Sequence, residues 1–277
     1  MTKLKPEDYL EPECVLCEKP IGFKQNRQMI PQKRISAKLD DLMAHQEYRQ
    51  AEDLLQYWQG EARLNGDRQG EFMLCNEMMG FYRKIGEKEK SYQAVEKALV
   101  MLDELGYRNS VSGAIAYTNI ATVYVNFEEA EKALPYFEKA RDIYQLNASG
   151  NEFKIASLHN NMATALVSLE RYDEAEKLFL QAIDILNDYG HQQLEVAITY
   201  LNILDLKIAQ AGVDNFDDNV AQPYLEKARD NLDSSDLERD SYYAFVADKC
   251  VSIYEFFGWF RYANQLKERI REINERS

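Results

Sequence analysis

The chain lacks most of the features by which function is commonly read from sequence. Basic charge is in deficit: 33 Lys and Arg stand against 47 Asp and Glu, a net charge of −14. A nucleic-acid partner needs a basic surface, so this balance argues against one, and it disfavours an anionic membrane while suiting a neutral or basic partner. No apolar run is long enough to span a bilayer. The most hydrophobic stretch, 242–260, is broken by Asp248, Lys249 and Glu255. The opening MTKLKPEDYL carries charge and no apolar core, which reads as the absence of a signal peptide and points to the cytoplasm. Four cysteines in 277 residues then read as reduced thiols.

Catalytic signatures are missing as well. There is no Gly-rich phosphate loop, no His-Glu-x-x-His and no nucleophile elbow. His45, His159 and His191 are scattered. Cys14 and Cys17 form half of a zinc knuckle, but a structural zinc site needs four ligands and no second Cys-x-x-Cys exists. No enzyme, cofactor or metal is therefore expected. Cys75 and Cys250 sit on apolar-patterned helices and read as core.

Glycine (12) and proline (6) are also scarce, while helix formers abound and apolar residues make up 45%. What the chain does have is repetition. PYFEKARDIY at 135–144 returns as PYLEKARDNL at 223–232. Aligning Ala140 with Ala182 also superimposes Asn119 on Asn161, Ala121 on Ala163, Ala133 on Ala175 and Phe137 on Phe179. The column of small residues runs Ala51, Ser91, Ala133, Ala175, Ala221 and Ala263, at steps of 40, 42, 42, 46 and 42. A fixed period of this size signals stacked repeats. The longer step holds the insertion AGVDNFDDN.

Each of the six units reads as two helices. In the third, Tyr117, Ile120, Ala121 and Tyr124 share one helical face, and Ala133, Phe137, Ala140 and Ile143 share another. Gly106, Gly150, Gly190 and Gly212 supply stop signals. Pro135 and Pro223 are expected near the start of their helices, where a missing N–H costs little. Small residues in the repeated column allow close helix approach.

These columns resemble the tetratricopeptide repeat: Tyr117, Ile120–Ala121 and Tyr124 on the first helix, then Ala133, Phe137 and Ala140 on the second. The period of 42 is similar to the long repeats of kinesin light chains and of bacterial peptide-sensing regulators. The resemblance implies an all-α, right-handed α-solenoid of about six helix hairpins over residues 35–277, after an irregular arm at 1–34. It also implies a concave groove lined by the first helix of each unit.

On that face lie Asn76, Glu77 and Arg83 in unit two, then Asn119, Thr122 and Asn126 in unit three. Asn160, Asn161 and Thr164 follow in unit four, and Asn202 and Asp205 in unit five. Asn119, Asn161 and Asn202 occupy one column. An asparagine amide offers donor and acceptor, as a peptide unit does, so such a row is expected to hold an extended peptide backbone. Asparagine also caps or links neighbouring helices, and that alternative stands beside it. The basic residues of the two-carboxylate clamp in chaperone-binding relatives are absent: Ile115, Ser157 and Asn161 hold those places. The expectation is a non-catalytic scaffold or adaptor that binds a peptide or protein segment. The alternative is a cytoplasmic sensor of a small signalling peptide. The aromatic cluster from Tyr242 to Tyr262 either closes the last unit's core or serves a homodimer contact.

Overall fold

The computed structural model describes residues 29–147 and 150–276. Among these residues there are twelve α-helices and no strand. The chain divides after Phe127 into two compact units. The first holds α1 (Gln32–Ala44), α2 (Tyr48–Asn65), α3 (Arg68–Lys84), α4 (Lys88–Glu104) and α5 (Val111–Asn126). The second holds α6 (Ala130–Leu146), α7 (Glu152–Ser168), α8 (Tyr172–Tyr189), α9 (Gln193–Ala211), α10 (Asp218–Leu232), α11 (Ser241–Phe256) and α12 (Phe260–Arg276). A short 3-10 turn, Val213–Asn215, lies within the insertion. Within each unit, consecutive helices pack as hairpins: α1 on α2 and α3 on α4 in the first, α7 on α8, α9 on α10 and α11 on α12 in the second.

The small-residue column falls on α2 and α4 in the first unit and on α6, α8, α10 and α12 in the second. All six members are at most 1% exposed. Large buried residues fill the space beside them, among them Phe137, Phe179, Tyr243 and Tyr254. One left-handed residue lies before each of these helices: Gln46, Gly86, Glu128, Glu170, Gly212 and Gly258. Each precedes its small-column partner by five positions, except Gly212, nine before Ala221. The backbone therefore carries the repeat as plainly as the side chains do.

The glycines at Gly106, Gly150, Gly190 and Gly212 all take positive φ beside helix ends, as their placement predicts. Gly113 has a different duty. A Cβ there would lie 2.1 Å from the carbonyl oxygen of Tyr107, so only glycine admits the turn that enters α5. Side chains cap some helix starts: Asp67 accepts from the Gly70 N–H at 2.8 Å, and Asp240 from the Tyr243 N–H at 2.9 Å. Pro135 and Pro223 depart from expectation. They lie inside α6 and α10, more than a turn from Ala130 and Asp218. Each therefore removes a regular backbone bond that the helix would otherwise make.

Cys75 and Cys250 are buried, and burial pushes their thiols up to about 11 and about 12 respectively, as inert core positions require. Cys14 and Cys17 lie outside the described residues. Among the described residues no helix is long and apolar enough to cross a membrane, and no three His, Cys, Asp or Glu side chains group as metal ligands.

Candidate functional site

In the first unit α3 stands between α1 and α5, and a cavity of about 420 Å³ opens among them. Asn76, Glu77 and Asn119 line it, with Phe72, Met73 and Ile115 as its apolar wall. The two asparagines are not free to serve a ligand fully. Asn119 Nδ2 donates to Asn76 Oδ1 at 3.0 Å, and Asn76 Nδ2 donates to the Phe72 carbonyl at 3.0 Å. The pair ties α5 to α3, which is the linking role that asparagine can also play. Thr122 donates its hydroxyl to the Asn119 carbonyl in its own helix, at 2.8 Å. Asn126 is exposed near the end of α5.

Glu77 and Arg83 are the charged members of this face. Both are half-buried. The Ser36 hydroxyl donates to Glu77 Oε1 at 2.7 Å. Burial raises the Glu77 carboxyl above the usual range, and the neighbouring Asp40 charge adds to the rise. Arg83 has no side-chain partner among the described residues, and desolvation pulls its guanidinium down.

The second unit has an equivalent face on α7, α9 and α11, with a cavity of about 300 Å³. Asn160, Asn161, Thr164 and Asn202 all line it, together with Tyr242 and Lys249. Asn160 Nδ2 donates to Thr199 Oγ1 at 2.9 Å, which links α7 to α9. Its Oδ1 is buried without a hydrogen-bond partner among the described residues. Thr164 donates to the Asn160 carbonyl at 3.0 Å. Asn161 and Asn202 make no side-chain hydrogen bond to any described residue. Asp205, one turn beyond Asn202, is exposed yet flanked by enough protein that desolvation raises its carboxyl.

The column of three asparagines thus divides. Asn119 is engaged in the first unit, while Asn161 and Asn202 share one cavity in the second. The residues that sequence reasoning missed on this face are on α11. Tyr242 donates to Glu195 Oε1 at 2.8 Å, and Lys249 stands 4.1 Å over the Phe245 ring. Tyr242, Phe245 and Lys249 follow a 3–4 spacing, the signal that could have placed them on one face.

A third cavity, about 740 Å³, lies among α6, α7 and α8. His159 lines it with Arg141 and Lys177. The His159 Nδ1 is buried without a hydrogen-bond partner among the described residues, and burial, helped by Arg141, lowers the imidazole's proton affinity. A lone histidine within a helix gives no sequence signal for such a position. The C-terminal aromatic cluster divides too: Tyr243, Tyr254 and Tyr262 are buried, while Phe256 and Phe260 are 69% and 62% exposed.

Family models described as Tetratricopeptide repeat match residues 114–144 and 154–213. The hairpin fold and these matches define the class: residues 114–144 and 154–213 carry tetratricopeptide repeats, which in general serve as a protein-interaction scaffold. No curated protein matches the sequence. Among solved structures, BtubC (BKLC) from P. vanneervenii is similar in fold, with a TM-score of 0.59 at 20% identity, covering 72% of this chain and 78% of that one. A Podosopora anserina kinesin light chain with nearly identical TPR-like repeats aligns at 16% identity and a TM-score of 0.46, over 73% of this chain and 94% of that one.

Proposed function

We propose that this chain is a non-catalytic binding module, each unit of which holds an extended peptide or protein segment on its own face: α1, α3 and α5 in the first, α7, α9 and α11 in the second. The observation that carries this reading is the state of Asn161 and Asn202. Asparagine is a mediocre helix former, because its amide competes with the helix backbone. Two such residues in the middle of α7 and α9, lining one cavity with neither amide bonded to a described residue, supply donors and acceptors matched to a peptide unit. Arg83 adds a cation with no side-chain partner among the described residues of the first unit. The scaffold role general to the repeat agrees with it, and a cytoplasmic setting agrees with the free buried thiols.

Capture of partners from a cell lysate tests the reading. The Asn161→Ala, Asn202→Ala double variant should lose the proteins that the wild-type chain retains. The Asn119→Ala variant should lose fewer, because Asn119 is engaged with Asn76. Equal recovery by the double variant and wild type overturns the assignment. The alternative, a sensor of a small signalling peptide, draws on the size of the cavities, about 300 and 420 Å³, which suit a few residues. A thermal shift with pools of very short peptides would favour it. Self-association is a separate reading that rests on the exposed Phe256 and Phe260 rings, and light scattering of the wild type against Phe256→Ser, Phe260→Ser decides it.

A further inference from the structure

We propose that the Glu77 carboxylate in the first unit's cavity is the receptor for the cationic side chain of an arginine or lysine in the bound peptide. The inference rests on the peptide-binding reading above and names the chemistry one subsite selects.

The argument begins with a comparison inside one helix. α3 carries two carboxylates away from bulk water, Glu71 and Glu77. Glu71 is 2% exposed. Three cations reach it: Arg63 Nε at 2.8 Å, Arg68 Nη1 at 2.5 Å and Lys97 Nζ at 2.5 Å. That is how a protein compensates a charge it removes from water. Glu77 has no cation among the described residues. Its hydrogen-bond partner is the neutral Ser36 hydroxyl, and the charge on α1 that acts on it is that of Asp40, of the same sign. A half-buried carboxylate left this way is unfavourable to the folded chain by itself. A ligand cation removes that cost.

The surroundings fit such a guest. The cavity of about 420 Å³ has room for one long side chain. Phe72, Met73 and Ile115 offer an apolar wall for an aliphatic stem, while the charged head reaches the carboxylate. Asn119 Oδ1, unused in the Asn76 link, is a further acceptor at the cavity for a guanidinium or ammonium donor. Asp40 and the chain's net charge of −14 deepen the negative potential. An acidic side chain would meet repulsion from both carboxylates.

The test uses the full chain and pools of short, end-capped random peptides with one fixed position, either arginine or its neutral isostere citrulline. Binding is read by fluorescence anisotropy, and folding of every variant by circular dichroism and thermal melting. The arginine pool is expected to bind about tenfold tighter than the citrulline pool, the effect of one charge-assisted hydrogen-bonded pair. Glu77→Gln should bring the two pools together by weakening the arginine pool alone. Equal affinities in the wild type, or a preference that survives in folded Glu77→Gln, overturns the proposal while leaving peptide binding intact. Displacement of the arginine pool by an equal concentration of spermidine assigns the carboxylate to free polyamines and also overturns it. If neither pool binds, the peptide-binding reading fails, and this inference fails with it.

Discussion

Ser91 is the one polar member of a column that is otherwise alanine, and its hydroxyl is buried without a hydrogen-bond partner among the described residues. A buried unpaired hydroxyl costs about 1–3 kcal/mol, against which the smaller alanine loses only a few contacts. Ser91→Ala should therefore raise stability by about 1 kcal/mol, read by urea denaturation. Glu71 stands at the opposite extreme. Burial pushes its carboxyl up, but hydrogen bonds from Lys97 and Arg63, with the charges of Lys97 and Arg68, more than offset this and leave it below the usual range. A carboxyl with a lowered folded-state pKa stabilises the fold above its unfolded pKa, near 4.3, and loses that contribution as pH falls through the folded value. Glu71→Gln should cost about 2–3 kcal/mol at neutral pH. The gap from wild type should close as pH drops below about 4, measured by denaturation at both ends of the range. Glu77 is raised instead, so its ionisation opposes folding as pH climbs, the reverse of Glu71.

At the scale of elements, the turns before α2, α4, α6, α8, α10 and α12 repeat one left-handed residue, and three of the six positions are not glycine: Gln46 at φ 56°, Glu128 at 62° and Glu170 at 58°. The left-handed conformation costs an L-residue about 1–2 kcal/mol, and glycine gives back part of the gain through its freer unfolded chain. Glu170→Gly should leave the α7–α8 hairpin unchanged and raise stability by about 0.5–1 kcal/mol, a rise in melting temperature that calorimetry can read. The register of these elements was legible beforehand because alanine and phenylalanine recur with the period of the close helix contacts. All six column residues are buried where that period puts them. The turn conformation was half hidden, since Gln46, Glu128 and Glu170 carry no sequence mark of positive φ. The division after Phe127 was hidden as well, because AYTNIATVYVNFEEAEKALPYFEKARDIY keeps the repeat pattern straight through it. The candidate face was legible as a set of positions. Which amides stay free was not, because the bond from Asn119 to Asn76 and that from Asn160 to Thr199 depend on how neighbouring helices are offset, and spacing along one helix does not encode that.

At the scale of the whole molecule, a net charge of −14 and a single local carboxylate act on different steps of binding. The summed charge produces a long-range field that draws in a cationic peptide and is screened over about 10 Å at 0.1 M salt and about 3 Å at 1 M. Glu77 acts only on contact. The association rate of an arginine-containing peptide should therefore fall steeply with added salt, by roughly tenfold or more between low and high ionic strength, while its dissociation rate changes little. Glu77→Gln should do the converse, raising the dissociation rate and leaving the salt slope of association nearly as it was, because it removes one charge of a large excess. Stopped-flow fluorescence on wild type and variant separates the two. A salt-independent association rate would mean that the acidic surface is merely solvated, and that selectivity for a basic partner resides in the cavity alone.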